Sequence, residues 1–182
     1  MNEILKAIAE RYTCRDFSSE PLTPEQIEIL INAALAAPSA MNLQPWHIIA
    51  VTDKKLIEEI DAAGMEYIKH DAEWHKRFME RGGKIFYNAP CVIFVARDNS
   101  EAAPLDCGIV SQNIALAAHS MGLGSCICGM ARYPLMGEKG AELLRRLQFP
   151  EGYSFGMSVC VGKMKSGKEP HEIDLNKVTH IK

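Results

Sequence analysis

Ala37-Pro38-Ser39-Ala40-Met41-Asn42-Leu43-Gln44-Pro45-Trp46-His47-Ile48-Ile49-Ala50-Val51 is the stretch around which the rest of the chain organises itself. Pro38 disfavours helical geometry in the residue before it, so a helix arriving from the N-terminal side must end near Ala37. Trp46–Val51 then reads as a strand. Between the two, a pair of prolines brackets small and amide residues, giving a stiff loop. Ser39, Asn42 and Gln44 offer neutral donors and acceptors suited to a planar heterocycle. Read alone, the same loop is equally a Pro-framed turn whose polar groups satisfy one another.

Upstream, Thr23-Pro24-Glu25-Gln26 is a capping box with Pro at the first helical position. It opens a helix whose Ile27, Leu30, Ile31, Ala34 and Leu35 share one face. Residues 2–12 carry Ile4, Leu5, Ile8 and Tyr12 at helical spacing, predicting a first helix. At its end Arg11 and Arg15 stand four apart. Their guanidinium forks suit an anion such as phosphate, although two solvated surface arginines would read the same way.

Downstream, Asp53 caps a helix carrying Leu56, Ile57 and Ile60, and residues 64–83 read as a mobile helical excursion. Its Tyr67, His70, Trp74 and Phe78 could sandwich an aromatic molecule, or simply form core. Cys91–Ala96 has no polar interruption and is expected to be a strand buried on both faces. Residues 104–121 are apolar nearly all round, as in a helix crossing a core, with Gly122 as its left-handed stop. A strand at 125–129, a helix at 138–147 and a strand at 154–161 follow. A Lys-rich tail ends in the strand-like Val178-Thr179-His180-Ile181. Helices and strands mix without βαβ alternation, which favours α+β in one domain spanning 1–182.

The 182 residues are 24% charged, with a formal net charge of −3. No basic face for nucleic acid is implied, and composition excludes disorder. The apolar stretch Pro104–Gly124 is interrupted by Asp106, Gln112, Asn113 and His119, too polar to span a membrane. The N-terminus lacks an apolar secretory core and points to the cytoplasm, where six cysteines are expected to be reduced, buried thiols. Cys126-Ile127-Cys128 has no second pair to complete a metal site. In Gly122-Leu123-Gly124 the order is helix, turn, strand, the reverse of a dinucleotide fingerprint, and no P-loop or nucleophile elbow occurs.

Four blocks together resemble the nitroreductase family of FMN-dependent oxidoreductases over nearly the whole chain. They are RYTCRDF at 11–17, APSAMNLQPWHIIAV at 37–51, DCGIVSQNIALAAHSMGLGS at 106–125, and VCVGKMKSGKEPHEIDLNKVTHI at 159–181. The resemblance implies a central mixed or antiparallel sheet flanked by helices. It also implies an intertwined homodimer with FMN at the interface, and a 163–182 arm exchanged between subunits. Arg11 would contact the FMN phosphate, with Tyr12 and Thr13 along the same edge and Arg15 near the pyrimidine edge of the flavin. Pro38, Ser39, Ala40, Met41, Asn42 and Gln44 would approach the flavin bound mainly by the other subunit. Cys128 and Gly129 would lie over the ring near N5, and Lys163 and Lys165 would supply basic phosphate ligands. The chain departs from many relatives in having no Arg between Lys168 and His171. Two electrons would pass from NAD(P)H to a nitroaromatic or quinone-like acceptor in a ping-pong sequence. A non-catalytic flavin-binding module, a dehalogenase and a flavin-degrading enzyme are the alternatives.

Overall fold

A computed structural model describes residues 2–182. The Asn2 side chain accepts from Leu5 N and starts α1 (Glu3–Glu10). Thr23 and Gln26 close the expected capping box on α2 (Pro24–Leu35), which stops two residues before the Ala37 limit set by Pro38. A single 3₁₀ turn at Ala40–Asn42 leads to β1 (Trp46–Val51). Asp53 caps α3 (Lys54–Ile68) and Asp71 caps α4 (Ala72–Met79), so residues 64–83 hold the end of one helix and the whole of the next. Then come β2 (Cys91–Arg97), α5 (Ala103–Ser120), β3 (Gly124–Cys128), α6 (Arg132–Met136), α7 (Gly140–Arg146) and β4 (Ser154–Gly162). Gly122 at φ 71° ends α5 as a left-handed stop.

The four strands form one antiparallel sheet in the order β1-β2-β4-β3. Its fold class is α+β, as the irregular mix of elements implied. Period-two alternation assigns each side chain to a layer. Val92, Phe94 and Cys160 face α3, α4, α6 and α7 together with Leu56, Ile57, Ile60 and Leu143. Cys91, Ile93, Val95, Val159 and Val161 face α2 and α5 together with Leu30, Ala34, Val110 and Ile114. Two helical layers thus sandwich the sheet, which is why β2 needs no polar position before Arg97. Phe94 meets Phe86, Phe149 and Phe155 edge to face, tying the far layer to the sheet centre.

Two expectations are corrected. The first helix ends at Glu10 rather than Tyr12, because Arg11 adopts extended geometry (φ −61°, ψ 131°). Its apolar side chains join no core within the chain: α1 has no buried residue, and Ile4 is 70% exposed. Val178–Ile181 forms no strand; the tail has only a 3₁₀ turn at Leu175–Lys177, and Ile181 is 95% exposed. In both places the apolar pattern is real but nothing among the described residues covers it. Among the described residues no helix is long and apolar enough to cross a membrane.

Candidate functional site

Leaving α1, the chain runs extended from Tyr12 to Ser18 and is stitched to two neighbours. Thr13 bridges Ser125 of β3, and Cys14 N donates to Ser125 O at 2.9 Å. Phe17 bridges Met164, Ser18 N donates to Lys163 O (2.9 Å), and Lys165 N donates to Asp16 O (3.1 Å). The Tyr12 hydroxyl donates to Met164 Sδ at 2.9 Å. Segments distant in sequence therefore place Arg11, Tyr12, Thr13, Arg15, Lys163 and Lys165 at one corner of the sheet. Arg11 Nε is buried there without a hydrogen-bond partner among the described residues. Such an orphaned guanidinium donor costs free energy unless an acceptor meets it. The two lysines are less free: Lys163 pairs with Glu20, and Lys165 lies 3.8 Å from Asp16.

Close approach at this corner depends on Gly124. A Cβ there would sit 2.5 Å from Met164 Cγ and 2.8 Å from Cys14 Cβ. Gly124→Ala is expected to push both segments off β3 at a cost of about 1–3 kcal/mol, read as a lowered melting temperature. An unchanged melting temperature would show that the clamp is loose.

At the other end of β3, about 13 Å along the strand, lie Cys128 and Gly129. Ser158 Oγ donates to Cys128 O at 2.6 Å, and Arg132 Nε donates to Gly129 O at 3.1 Å. The Arg132 guanidinium occupies the space beside Gly129, 3.3 Å from where a Cβ would stand. Next to it opens a cavity of about 410 Å³ lined by Tyr67, His70, Trp74, Met130 and Tyr133. Tyr67 and Tyr133 stack with centroids 4.9 Å apart, and Trp74 stacks on Phe78, which is buried behind it. Phe78 in turn stacks on Tyr87, whose hydroxyl burial pushes up to about 12 while the Arg15 guanidinium pulls the other way. An elongated ligand with an anionic tail and a planar head would find its two complements at the two ends of β3.

The loop Pro38–Gln44 lies elsewhere. Trp46 pairs with Arg97, which pairs with Ser154, whereas Thr13 meets the β3 end that pairs with Val161 and Gly162. The two corners are diagonal across the sheet, on the order of 25 Å apart from strand spacing and rise. The 18 residues of α5 span the same diagonal. Ala40 N donates to both Asp106 carboxylate oxygens at 3.3 Å, Gln44 N donates to Ser39 Oγ at 2.9 Å, and Gln44 Nε2 donates to Asn42 Oδ1 at 3.1 Å. Met41, Asn42 and Gln44 all have φ near +50°, a strained conformation for side-chain-bearing residues, and Met41 is 88% exposed. This loop cannot reach the Arg11 corner of its own chain.

Sequence reasoning missed Arg132, Tyr133 and Ser158. Pro134 disguised the short α6, and Ser158 looked like one more residue of a strand. Its position opposite Cys128 emerges only from strand pairing.

The Nitroreductase family description matches residues 8–163. A crystal structure of a nitroreductase with bound FMN from Desulfitobacterium hafniense DCB-2 is 44% identical and superposes with a TM-score of 0.97, each chain covered in full. An FMN-dependent nitroreductase from Clostridium difficile R20291 is 31% identical with a TM-score of 0.85, covering 99% of each chain. The FMN reductase (NADPH) of Bacillus subtilis is 28% identical over 93% of this chain and 70% of its own length. The chain belongs to the nitroreductase family.

Proposed function

We propose that this protein passes two electrons from NAD(P)H to a flat nitroaromatic, quinone or similar acceptor, the two substrates using one cavity in turn. It is an FMN-dependent NAD(P)H oxidoreductase. Bound FMN would supply the redox chemistry, a two-electron exchange with the nicotinamide and then the acceptor. The observation that carries the reading is the orphaned Nε of Arg11 at one end of β3, with Gly129 and an aromatic cavity at the other.

Each part of this edge has a task. Arg11 would hold the phosphate, with Tyr12 and Thr13 fixing the backbone beside it. Lys163 and Lys165, already paired with carboxylates, would add positive field more than direct contacts. Arg15 would place charge near the pyrimidine edge, favouring the anionic reduced ring. Gly129, lacking a Cβ, would let backbone approach the ring face, and Arg132 and Ser158 would hold that backbone still. Tyr67, Trp74 and Tyr133 would stack on whichever flat substrate enters.

The diagonal separation of Pro38–Gln44 from Arg11 makes a symmetric dimer the natural completion of the site. A two-fold axis can bring the partner's copy of the loop to the Arg11 corner. The strained, exposed Met41 and the uncovered apolar face of α1 are surfaces such a contact would bury.

The purified protein is expected to be yellow, bleached anaerobically by NADH or NADPH, and recoloured by a nitroaromatic or quinone. Failure to gain absorbance on adding FMN would sink the reading. Bleaching without reoxidation by any acceptor but oxygen would favour a non-catalytic flavin carrier. Arg11→Ala is expected to weaken FMN binding by about 1.5–3 kcal/mol, the value of hydrogen bonds to charged groups, and to flatten its salt dependence. Wild-type affinity in that variant would remove Arg11 from the phosphate site.

A further inference from the structure

The rings that line the cavity beside Gly129 are open to an unusual degree for side chains of their size. Tyr67 on α3 is 48% exposed and Trp74 on α4 is 45% exposed, while Tyr133 on α6 is half-buried against Tyr67. Trp74 packs on the buried Phe78 yet stays nearly half exposed. A single exposed ring is ordinary, but three gathered at one concavity mark a surface kept for a ligand. Each ring carries a negative π-face, which attracts positive charge.

The charges around the cavity point the same way. Asp71 is the one acidic residue that lines it. Asp71 Oδ1 accepts from Trp74 N at 3.0 Å, capping α4, and the carboxylate has no ion-pair partner among the described residues. Neighbouring charges on α3 and α4 cancel in pairs: Lys69 bonds Glu66, and Arg77 lies 3.2 Å from Glu73. His70, which also lines the cavity, opposes Asp71 only when its imidazole is protonated. Arg132 adds a positive charge, but on the Gly129 side, where its Nε is tied to Gly129 O. The cavity is thus polarised, positive next to Gly129 and negative where α4 begins.

We propose that this cavity selects planar aromatic cations over neutral and anionic rings of the same size, and that Asp71 sets the preference. The ring stacks on Trp74 and the Tyr67–Tyr133 pair, its positive group turns toward Asp71, and its uncharged edge turns toward Gly129. Cation–π attraction and the carboxylate then act on the same ligand charge. An anionic ring meets that carboxylate and three negative π-faces instead. The preferred electron acceptors are accordingly nitroarenes or quinones that carry a quaternary ammonium or pyridinium group. Their role as acceptors rests on the function proposed above; the binding preference of the cavity does not.

The test is equilibrium dialysis of FMN-loaded protein against three probes that share one ring and differ in charge: 1-methylnicotinamide (cation), nicotinamide (neutral) and nicotinate (anion). It is run at pH 8, which keeps imidazoles neutral. The expected order of affinity is cation, neutral, anion. Asp71→Asn keeps the α4 cap, because Asn caps as well as Asp. It is expected to weaken the cation by about 2–5-fold, the range of an exposed ion pair, with nicotinamide unchanged and an unaltered melting temperature. Raised salt should erode the preference of the wild type and leave that of Asp71→Asn as it is. Trp74→Leu should weaken the cation more than nicotinamide. Equal affinity for the three probes, or an Asp71→Asn loss shared equally among them, would overturn the proposal. The second arm adds (4-nitrobenzyl)trimethylammonium or 4-nitrobenzoate to protein bleached by NADPH. Faster recolouring by the cation, with the advantage reduced in Asp71→Asn, extends the preference to acceptors. If the dialysis order holds and neither nitroarene recolours the flavin, the binding preference stands and the electron-transfer function falls.

Discussion

Replacing Asp61 with Asn is expected to stabilise the protein by up to about 3 kcal/mol at pH 7 and by almost nothing below pH 4. Asp61 is 4% exposed on the inner face of α3. Its Oδ1 accepts from Phe86 N at 2.9 Å, but Oδ2 is buried without a partner among the described residues. Burial raises its pKa from 3.8 to about 6, outweighing the hydrogen bond from Phe86 and the attraction of Lys84, with Glu58 adding repulsion. A carboxyl with a raised folded value binds more protons folded than unfolded between these two pH values, so its contribution falls as pH climbs from about 4 to 6. Above pH 6 the full penalty persists, and the gap from 3.8 to about 6 corresponds to about 3 kcal/mol at 1.36 kcal/mol per pH unit. Asn keeps the acceptor for Phe86 N and removes the charge. Denaturant unfolding of both FMN-saturated proteins from pH 4 to 8 is the measurement. A stability difference that does not change with pH would show that Asp61 is not the titrating group.

Removing residues 174–182 is expected to yield a protein both less dimeric and poorer in FMN. Leu175, Val178 and Ile181 stand exposed along a tail with no strand and no core contact of its own. Short apolar runs in that state gain stability only by covering another surface, and the pairing of the tail with residues 16–18 ends at Lys165. If the arm lies across the partner, as the family resemblance implies, deletion loosens the contact that brings Pro38–Gln44 to the partner's Arg11 corner. Dimer and cofactor then fall together. Light scattering with flavin quantitation decides it: a truncated chain that remains a full-strength yellow dimer would show that the tail is only a solvated extension.

Local chemistry made most of the elements legible. The Thr23–Gln26 box, the Asp53 cap, the Gly122 stop and the unbroken apolar run of β2 each encode their element within a few residues, so α2, α3, α5 and β2 fall where they read. Errors cluster where the partner is remote. The helical spacing of Ile4, Leu5 and Ile8 marks an apolar stripe, but periodicity reports that a stripe is apolar and not what covers it. The tail misled for the same reason, its apolar run lacking a neighbouring strand in the chain. Pro134 hid α6, and with it the two side chains that frame Gly129 and the cavity.

The sequence by itself determined the unbroken apolar run of β2 that is buried on both faces, the two arginines and four blocks that mark the family, and the stiffness of the Pro38–Pro45 loop. Those properties reside in single residues and short spacings. Only the tertiary structure decided that Arg11 would be left with an unmet buried donor, that Lys163 and Lys165 would already be paired, and that Pro38–Gln44 would lie across the sheet diagonal from Arg11. It likewise decided that Cys160 would stand beside Cys126 and Cys128. Each depends on strand order and register, long-range pairings that join residues tens of positions apart and that a one-residue slip would reverse.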